Sequence, residues 1–134
     1  MHLHLPDTVQ LGPVTRMDFA RYASASGDFN PLHLDAEFAR LAGLPDVIAQ
    51  GMYSAGLVSS ILEQWFGSGS LLRFSVRFRL PVWPGDILEV CCDSLVATSH
   101  SAADLTASLR RSPTDVVLTA SARVRTPDQG QETP

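Results

Sequence analysis

Cysteine is nearly absent from the 134 residues: there are two, Cys91 and Cys92, adjacent in the chain. Neighbouring cysteines do not readily bridge each other, and no second pair exists. A disulfide framework is therefore excluded, and reduced thiols in a cytoplasmic setting are expected. Positive charge is short as well. Ten Lys+Arg stand against fourteen Asp+Glu, a formal net charge of −4. That balance excludes nucleic-acid binding driven by displacing counterions from phosphates. No apolar run approaches the roughly 18 residues that span a bilayer, so no membrane partner is expected. The first residues, MHLHLPDT, lack the basic-then-apolar layout of a secretory signal. Also missing are a Walker loop and a Gly-x-Gly-x-x-Gly turn, which leaves nucleotide hydrolysis and dinucleotide redox chemistry without support. No Gly-x-Ser-x-Gly elbow surrounds Ser54, Ser59 or Ser60, and a serine nucleophile is not indicated.

What is present is a globular composition, 45% apolar and 18% charged, of a length that builds one core. Residues 1–126 read as a single domain, and the wholly polar stretch 127–134 reads as a disordered tail. Thr15 with Asp18 three residues on is a capping box for a short helix carrying Phe19, Tyr22 and Ala23, which stops at Ser26-Gly27. Asp35 caps a second short helix through Phe38 and Leu41, ended by Gly43 with Pro45 beyond. The longest helix starts at Gly51. Met52, Ala55, Val58, Ile61, Leu62 and Trp65 recur at helical spacing until Gly67-Ser68-Gly69, with no charge before Glu63. So apolar a helix is expected to have protein on most sides.

From residue 71 the period becomes two. Phe74, Val76, Phe78 and Leu80 alternate with Arg73, Ser75, Arg77 and Arg79, the pattern of a half-buried strand. Pro84-Gly85-Asp86 is a turn, Ile87–Val96 the next strand, and two further alternating runs flank Ser112-Pro113-Thr114. Four consecutive strands on short turns suggest an antiparallel meander. The fold class is α+β: a long central helix wrapped by a curved antiparallel sheet.

The densest polar cluster is Ser26-Gly27-Asp28-Phe29-Asn30-Pro31-Leu32-His33. A carboxylate and an imidazole five residues apart around a rigid Asn-Pro turn can both face one cavity and move protons to and from water. Asp28 can equally serve an Asx-turn and nothing more. Gly51 opens the long helix, where free N–H groups and the positive dipole end favour a developing oxyanion; it can also simply let the chain turn. Gln50 beside it is a loop amide or a site contact. Arg73, Arg77 and Arg79 could meet the phosphates of a carrier or line a wet sheet face. His2 and His4 lack the partners that a metal site needs. His100 falls in a turn and is expected to be solvated, and Cys91 and Cys92 suit packing in a strand.

Read together, Tyr22 through His33 and the later Ala49-Gln50-Gly51-Met52 resemble the MaoC-like dehydratases and (R)-specific enoyl-CoA hydratases, which have a hotdog fold. That family's motif is a Gly-Asp-x-Asn-Pro-hydrophobic-His run, and residues 27–33 match each element. Val76 to Asp86 resembles the family's strand and turn after the central helix, so the likeness covers residues 14–126. It implies a hydro-lyase acting on a coenzyme A or acyl-carrier-protein thioester without a resident cofactor or metal. It implies Asp28 and His33 as the catalytic dyad and Gly51 as the oxyanion hole. Asn30 would shape the loop, with Ser59 and Gln50 in supporting positions. Many hydratases carry His where this chain has Gln50, a change that keeps hydrogen bonding and removes the titratable group. Pairing with an identical or a different MaoC-like chain is also implied. The rival readings are a partner-dependent or non-catalytic subunit of a heteromeric dehydratase, and more remotely a thioesterase. The latter lacks an acid near Gly51, since Glu63 lies three turns along.

Overall fold

The computed structural model describes residues 3–127, and both His2 and most of the expected tail lie outside them. A short strand β1, Val9–Leu11, precedes helix α1, Arg16–Ser26. The capping box forms as expected. Asp18 N–H donates to Thr15 Oγ1 at 3.2 Å, Thr15 N–H to Asp18 Oδ2 at 2.8 Å, and Gly27 closes the helix with φ +78°. A 3-10 turn, Pro31–His33, leads to helix α2, Ala36–Leu41, whose cap Asp35 accepts from the N–H groups of Glu37 and Phe38. Helix α3, Gly51–Phe66, is followed by strands β2, Leu71–Phe78; β3, Leu88–Ser99; β4, Ala102–Arg110; and β5, Val116–Arg125.

One antiparallel five-stranded sheet results, in the order β1-β3-β4-β5-β2. The meander expected over four strands therefore covers only β3, β4 and β5. Strand β2 lies at the far edge against β5, with Val76 opposite Ala120, and residues 79–87 cross to the other side of the sheet. The Pro84-Gly85-Asp86 turn is not a hairpin; its Gly85 N–H donates to Val14 O and Val14 N–H to Asp86 O. Nor does the alternating pattern around residues 78–80 stay buried. Arg79 and Leu80 both turn their N–H groups to Val117 O as the strand ends, and Phe78 and Leu80 are exposed.

The core sits between α3 and the inner face of the sheet. Val58 and Leu62 of the helix are fully buried with Leu88, Val90, Leu105, Leu109, Leu118 and Val124 of the strands. At such a position, truncating Leu62 to alanine costs about 2–5 kcal/mol. Phe19 of α1 closes one end and stacks edge-on against Tyr53 at 5.8 Å between ring centroids. The expectation of a helix enclosed on most sides holds only for the sheet-facing stripe. Met52, Ser60 and Gln64 remain exposed because, among the described residues, no second layer covers that flank. Among the described residues, no helix is long and apolar enough to cross a membrane.

Candidate active site

Two local hydrogen bonds shape the loop between α1 and α2. Asp28 Oδ1 accepts from Asn30 N–H at 3.3 Å, and Asn30 Oδ1 accepts from Leu32 N–H at 3.0 Å. Successive Asx contacts of this kind, with φ fixed at Pro31, wind the chain into the 3-10 turn and project His33 inward. The Asx-turn reading of Asp28 thus describes only one of its oxygens. Its other oxygen, Oδ2, stands 3.7 Å from His33 Nε2, too far for a direct hydrogen bond. The carboxylate is 47% exposed and the imidazole only 12%; His33 lines the pocket at the N-terminus of α3 and Asp28 does not.

The second imidazole nitrogen is held from far along the chain. His33 Nδ1 lies 2.8 Å from the carbonyl oxygen of Ile48. A carbonyl only accepts, so in the neutral ring the proton resides on Nδ1 and Nε2 keeps its lone pair toward Asp28. The same peptide unit is fixed on its other side. Ala49 N–H donates to Val82 O at 2.9 Å, and in the preceding peptide Ile48 N–H donates to Leu32 O at 3.1 Å. Because a peptide is planar, the Ile48 carbonyl cannot turn without breaking the bond from Ala49 to Val82.

Helix α3 begins just beyond. Tyr53 and Ser54 N–H groups reach Gln50 O, and Gln50 supplies no side-chain cap. The N–H groups of Gly51 and Met52 have no carbonyl upstream in the helix, and they carry the positive end of its dipole. Gly51 approaches another side chain closely as well: a Cβ there would stand 3.2 Å from Phe78 Cζ. Together His33, Gly51, Ser54, Phe78, Pro81 and Val82 line a pocket of about 330 Å³ at the N-terminus of α3.

Several expected contributors are elsewhere. Gln50 is 1% exposed and donates through Nε2 to Phe19 O at 2.9 Å, tying α3 to α1 rather than lining the pocket. Ser59 is two turns along α3, where its hydroxyl donates to Gly56 O. The arginine row divides. Arg73 and Arg77 lie on the sheet's outer face beside Ser75, Thr106 and Ser121, and Arg79 borders both that face, next to Arg77, and the pocket wall. Ser54, 4% exposed, and Phe78 were not singled out from sequence as pocket residues. Ser54 was findable, since it lies three residues from Gly51 on one helix face; Phe78 reads there as an ordinary core residue. Burial pushes the Cys92 thiol up to about 11, which fits packing rather than reactivity. Among the described residues no group of three or more His, Cys, Asp or Glu could hold a metal ion.

A protein-family model for a MaoC-like domain matches residues 4–100. The chain belongs to the MaoC-like family. A 3-hydroxyacyl-thioester dehydratase of Mycobacterium tuberculosis is 36% identical over 102 residues, 76% of this chain and 34% of that protein. The chain spans less than two thirds of the length of the curated relatives it matches, about half of the (R)-specific enoyl-CoA hydratase of Aeromonas caviae, to which it is 45% identical over 71 residues. The solved (R)-hydratase of A. caviae superposes with a TM-score of 0.80 at 31% identity, covering 93% of this chain and 98% of that one. The MaoC-like chain accordingly has the hotdog fold of a family whose named members include hydratases and dehydratases.

Proposed function

We propose that this MaoC-like chain is an enoyl-thioester hydratase, adding water across a trans-2-enoyl thioester or removing it from the (R)-3-hydroxyacyl product. The observation that carries the reading is the arrangement of Asp28 and His33. Two acceptors, Oδ2 and the Nε2 lone pair, face each other at 3.7 Å with no proton of their own between them. A water that donates one hydrogen to each is held with its oxygen lone pairs turned outward. Attack of that oxygen on C3 transfers one proton to the dyad, and the π electrons move onto the thioester carbonyl oxygen. N–H donors at Gly51 meet this oxygen as it becomes an enolate. The dyad then returns a proton to C2, so water is added as OH and H with nothing left over. Dehydration runs the same steps backwards.

The pocket admits the reacting acyl end, and the carrier, coenzyme A or an acyl-carrier protein, lies outside. Arg79 at the wall is the arginine of the row suited to meet its negative charge. No resident cofactor enters this chemistry.

The reading extends to assembly. Strand β2 is an eight-residue sheet edge with one side unpaired among the described residues, and such edges are covered in stable proteins. Exposed Phe29, Met52, Phe78 and Leu80 add apolar surface. A second MaoC-like chain, identical or different, is the proposed cover.

The test is loss of the enoyl ultraviolet absorbance with crotonyl-CoA and a longer trans-2-enoyl-CoA. Hydration that disappears in Asp28→Asn is the expected result. Hydration equal in Asp28→Asn and the unaltered chain would overturn the assignment of the dyad.

A further inference from the structure

Arg111 lies outside the pocket, in the turn between β4 and β5, yet it grips the segment that forms the pocket's back wall. Its Nη1 donates to Asp86 Oδ2 at 2.7 Å and to the Pro81 carbonyl at 3.2 Å. Its Nε donates to Asp115 Oδ2 at 3.2 Å, and its own backbone N–H donates to Asp115 O at 2.9 Å, which anchors the guanidinium in the hairpin. Asp86 in turn accepts from Trp83 N–H at 2.9 Å, so the whole stretch from Pro81 to Asp86 is drawn around one cation. The side chains of Arg111 and Asp86 are 24% and 13% exposed, so solvent competes weakly for these bonds.

Next to Pro81 is Val82, 2% exposed, whose carbonyl accepts from Ala49 N–H. The Ile48–Ala49 peptide therefore has Val82 on one side and His33 Nδ1 on the other. Turning the Pro81–Val82 backbone turns that plane, and with it the carbonyl that keeps the His33 proton on Nδ1. The planar guanidinium serves Asp115 from Nε and both Asp86 and Pro81 from Nη1, and a single ammonium nitrogen cannot reproduce that spread of three acceptors.

We propose that Arg111 is a positioning residue for His33, acting through Pro81, Val82 and the Ile48–Ala49 peptide to fix the tautomer and direction of the imidazole. The hydration readout rests on the enoyl-thioester reading above; the spectroscopic one does not.

The experiment compares the unaltered full chain with Arg111→Met, Arg111→Lys, Asp86→Asn and Asp28→Asn, well below each unfolding midpoint. Crotonyl-CoA hydration is followed, together with the ¹⁵N resonances of the His33 ring. In Arg111→Met, kcat is expected to fall about tenfold or more with KM changed less than threefold, because small misplacement of a catalytic group costs rate rather than binding. The His33 nitrogens are expected to move from the Nδ1–H pattern toward tautomer exchange. Arg111→Lys should recover only part of both. Should Arg111→Met fail to fold, Asp86→Asn loosens the same clasp while leaving an oxygen for Trp83 N–H, and the same changes are expected there. An unchanged His33 pattern with unchanged kcat in a folded variant, or a lowered midpoint alone, would overturn the proposal. If Asp28→Asn is inactive while Arg111→Met retains full kcat and the native ring pattern, Arg111 fails and the enoyl reading stands. If the unaltered chain gives no hydration, that reading fails, and the ring resonances alone decide on Arg111.

Discussion

Gly51→Ala separates an oxyanion role from a purely structural one. The structural cost is small. Gly51 does not adopt a left-handed φ, so alanine fits the backbone, and helix propensity favours alanine by up to about 1 kcal/mol. Against this, the new methyl would meet Phe78 Cζ at 3.2 Å, Cε1 at 3.3 Å and Cε2 at 3.6 Å. These atoms belong to Phe78, a residue 52% exposed, whose ring can withdraw by a few tenths of an ångström without opening a cavity. The two effects nearly cancel, and the unfolding midpoint should move by no more than a few degrees. The functional cost is large. On the proposed reading, the methyl crowds the thioester oxygen as it approaches the free helix N–H groups. Alanine keeps the backbone N–H and can only obstruct access to it, so the full loss of such a donor, a factor of about 10²–10³ in kcat or about 2.7–4 kcal/mol, is the upper bound on the fall. The assay is enoyl-CoA hydration beside a thermal melt. Moving Phe78 could itself slow turnover, so Gly51→Ala is repeated in a Phe78→Leu background: relief there would assign the loss to the ring. Near-normal hydration by folded Gly51→Ala would refute the arrival of the thioester oxygen against Gly51.

Asp28→Asn keeps an oxygen for the Asn30 N–H and so should preserve the melt, while hydration drops by roughly a hundredfold or more; near-wild-type turnover would dissociate the carboxylate from the chemistry. His33→Gln should slow hydration to a similar degree, with circular dichroism unchanged, and steady-state rates check it. Sedimentation should give a dimer or larger assembly, and a fully active monomer would contradict the covered β2 edge. A thiol reagent near pH 8 should leave Cys92 unmodified until denaturant is added, because a buried thiol with a pKa of about 11 is scarcely ionised there; peptide mapping of the labelled chain reads this directly.

The parts of the fold that could be read from sequence are those set by neighbours in the chain. Thr15 and Asp18 find each other across one helical turn, Asp35 caps its own helix, and the stripe from Ala55 to Leu62 needs only its period to declare a buried face. Strand β1 escaped notice because three residues are too few to show alternation. The edge position of β2 escaped for a different reason. Nothing near Phe78 says that its strand pairs with β5 rather than β3, since that choice is made by the apolar face of α3 and by a crossover whose only local sign is a Pro-Gly turn resembling a hairpin.

The same division runs through the site. The residues from Gly27 to His33 carry within themselves the turn that brings a carboxylate near an imidazole, and this is why the motif is visible in sequence. What turns the Nε2 lone pair of the neutral ring, rather than an N–H, toward Asp28 is the carbonyl of Ile48, fifteen residues on. An apolar residue in an unremarkable loop holds that carbonyl, and no side-chain chemistry at Ile48 advertises it. The constraint comes from the backbone: Leu32 and His33 engage Ile48 itself, and Val82 engages the N–H of Ala49 in the same peptide as the Ile48 carbonyl. Substituting Ile48 by another apolar residue should therefore leave the tautomer intact, whereas changes that move the backbone of Pro81 and Val82 should disturb it. Side-chain identity fixes which groups are available here, and long-range backbone pairing determines which of their protons can move.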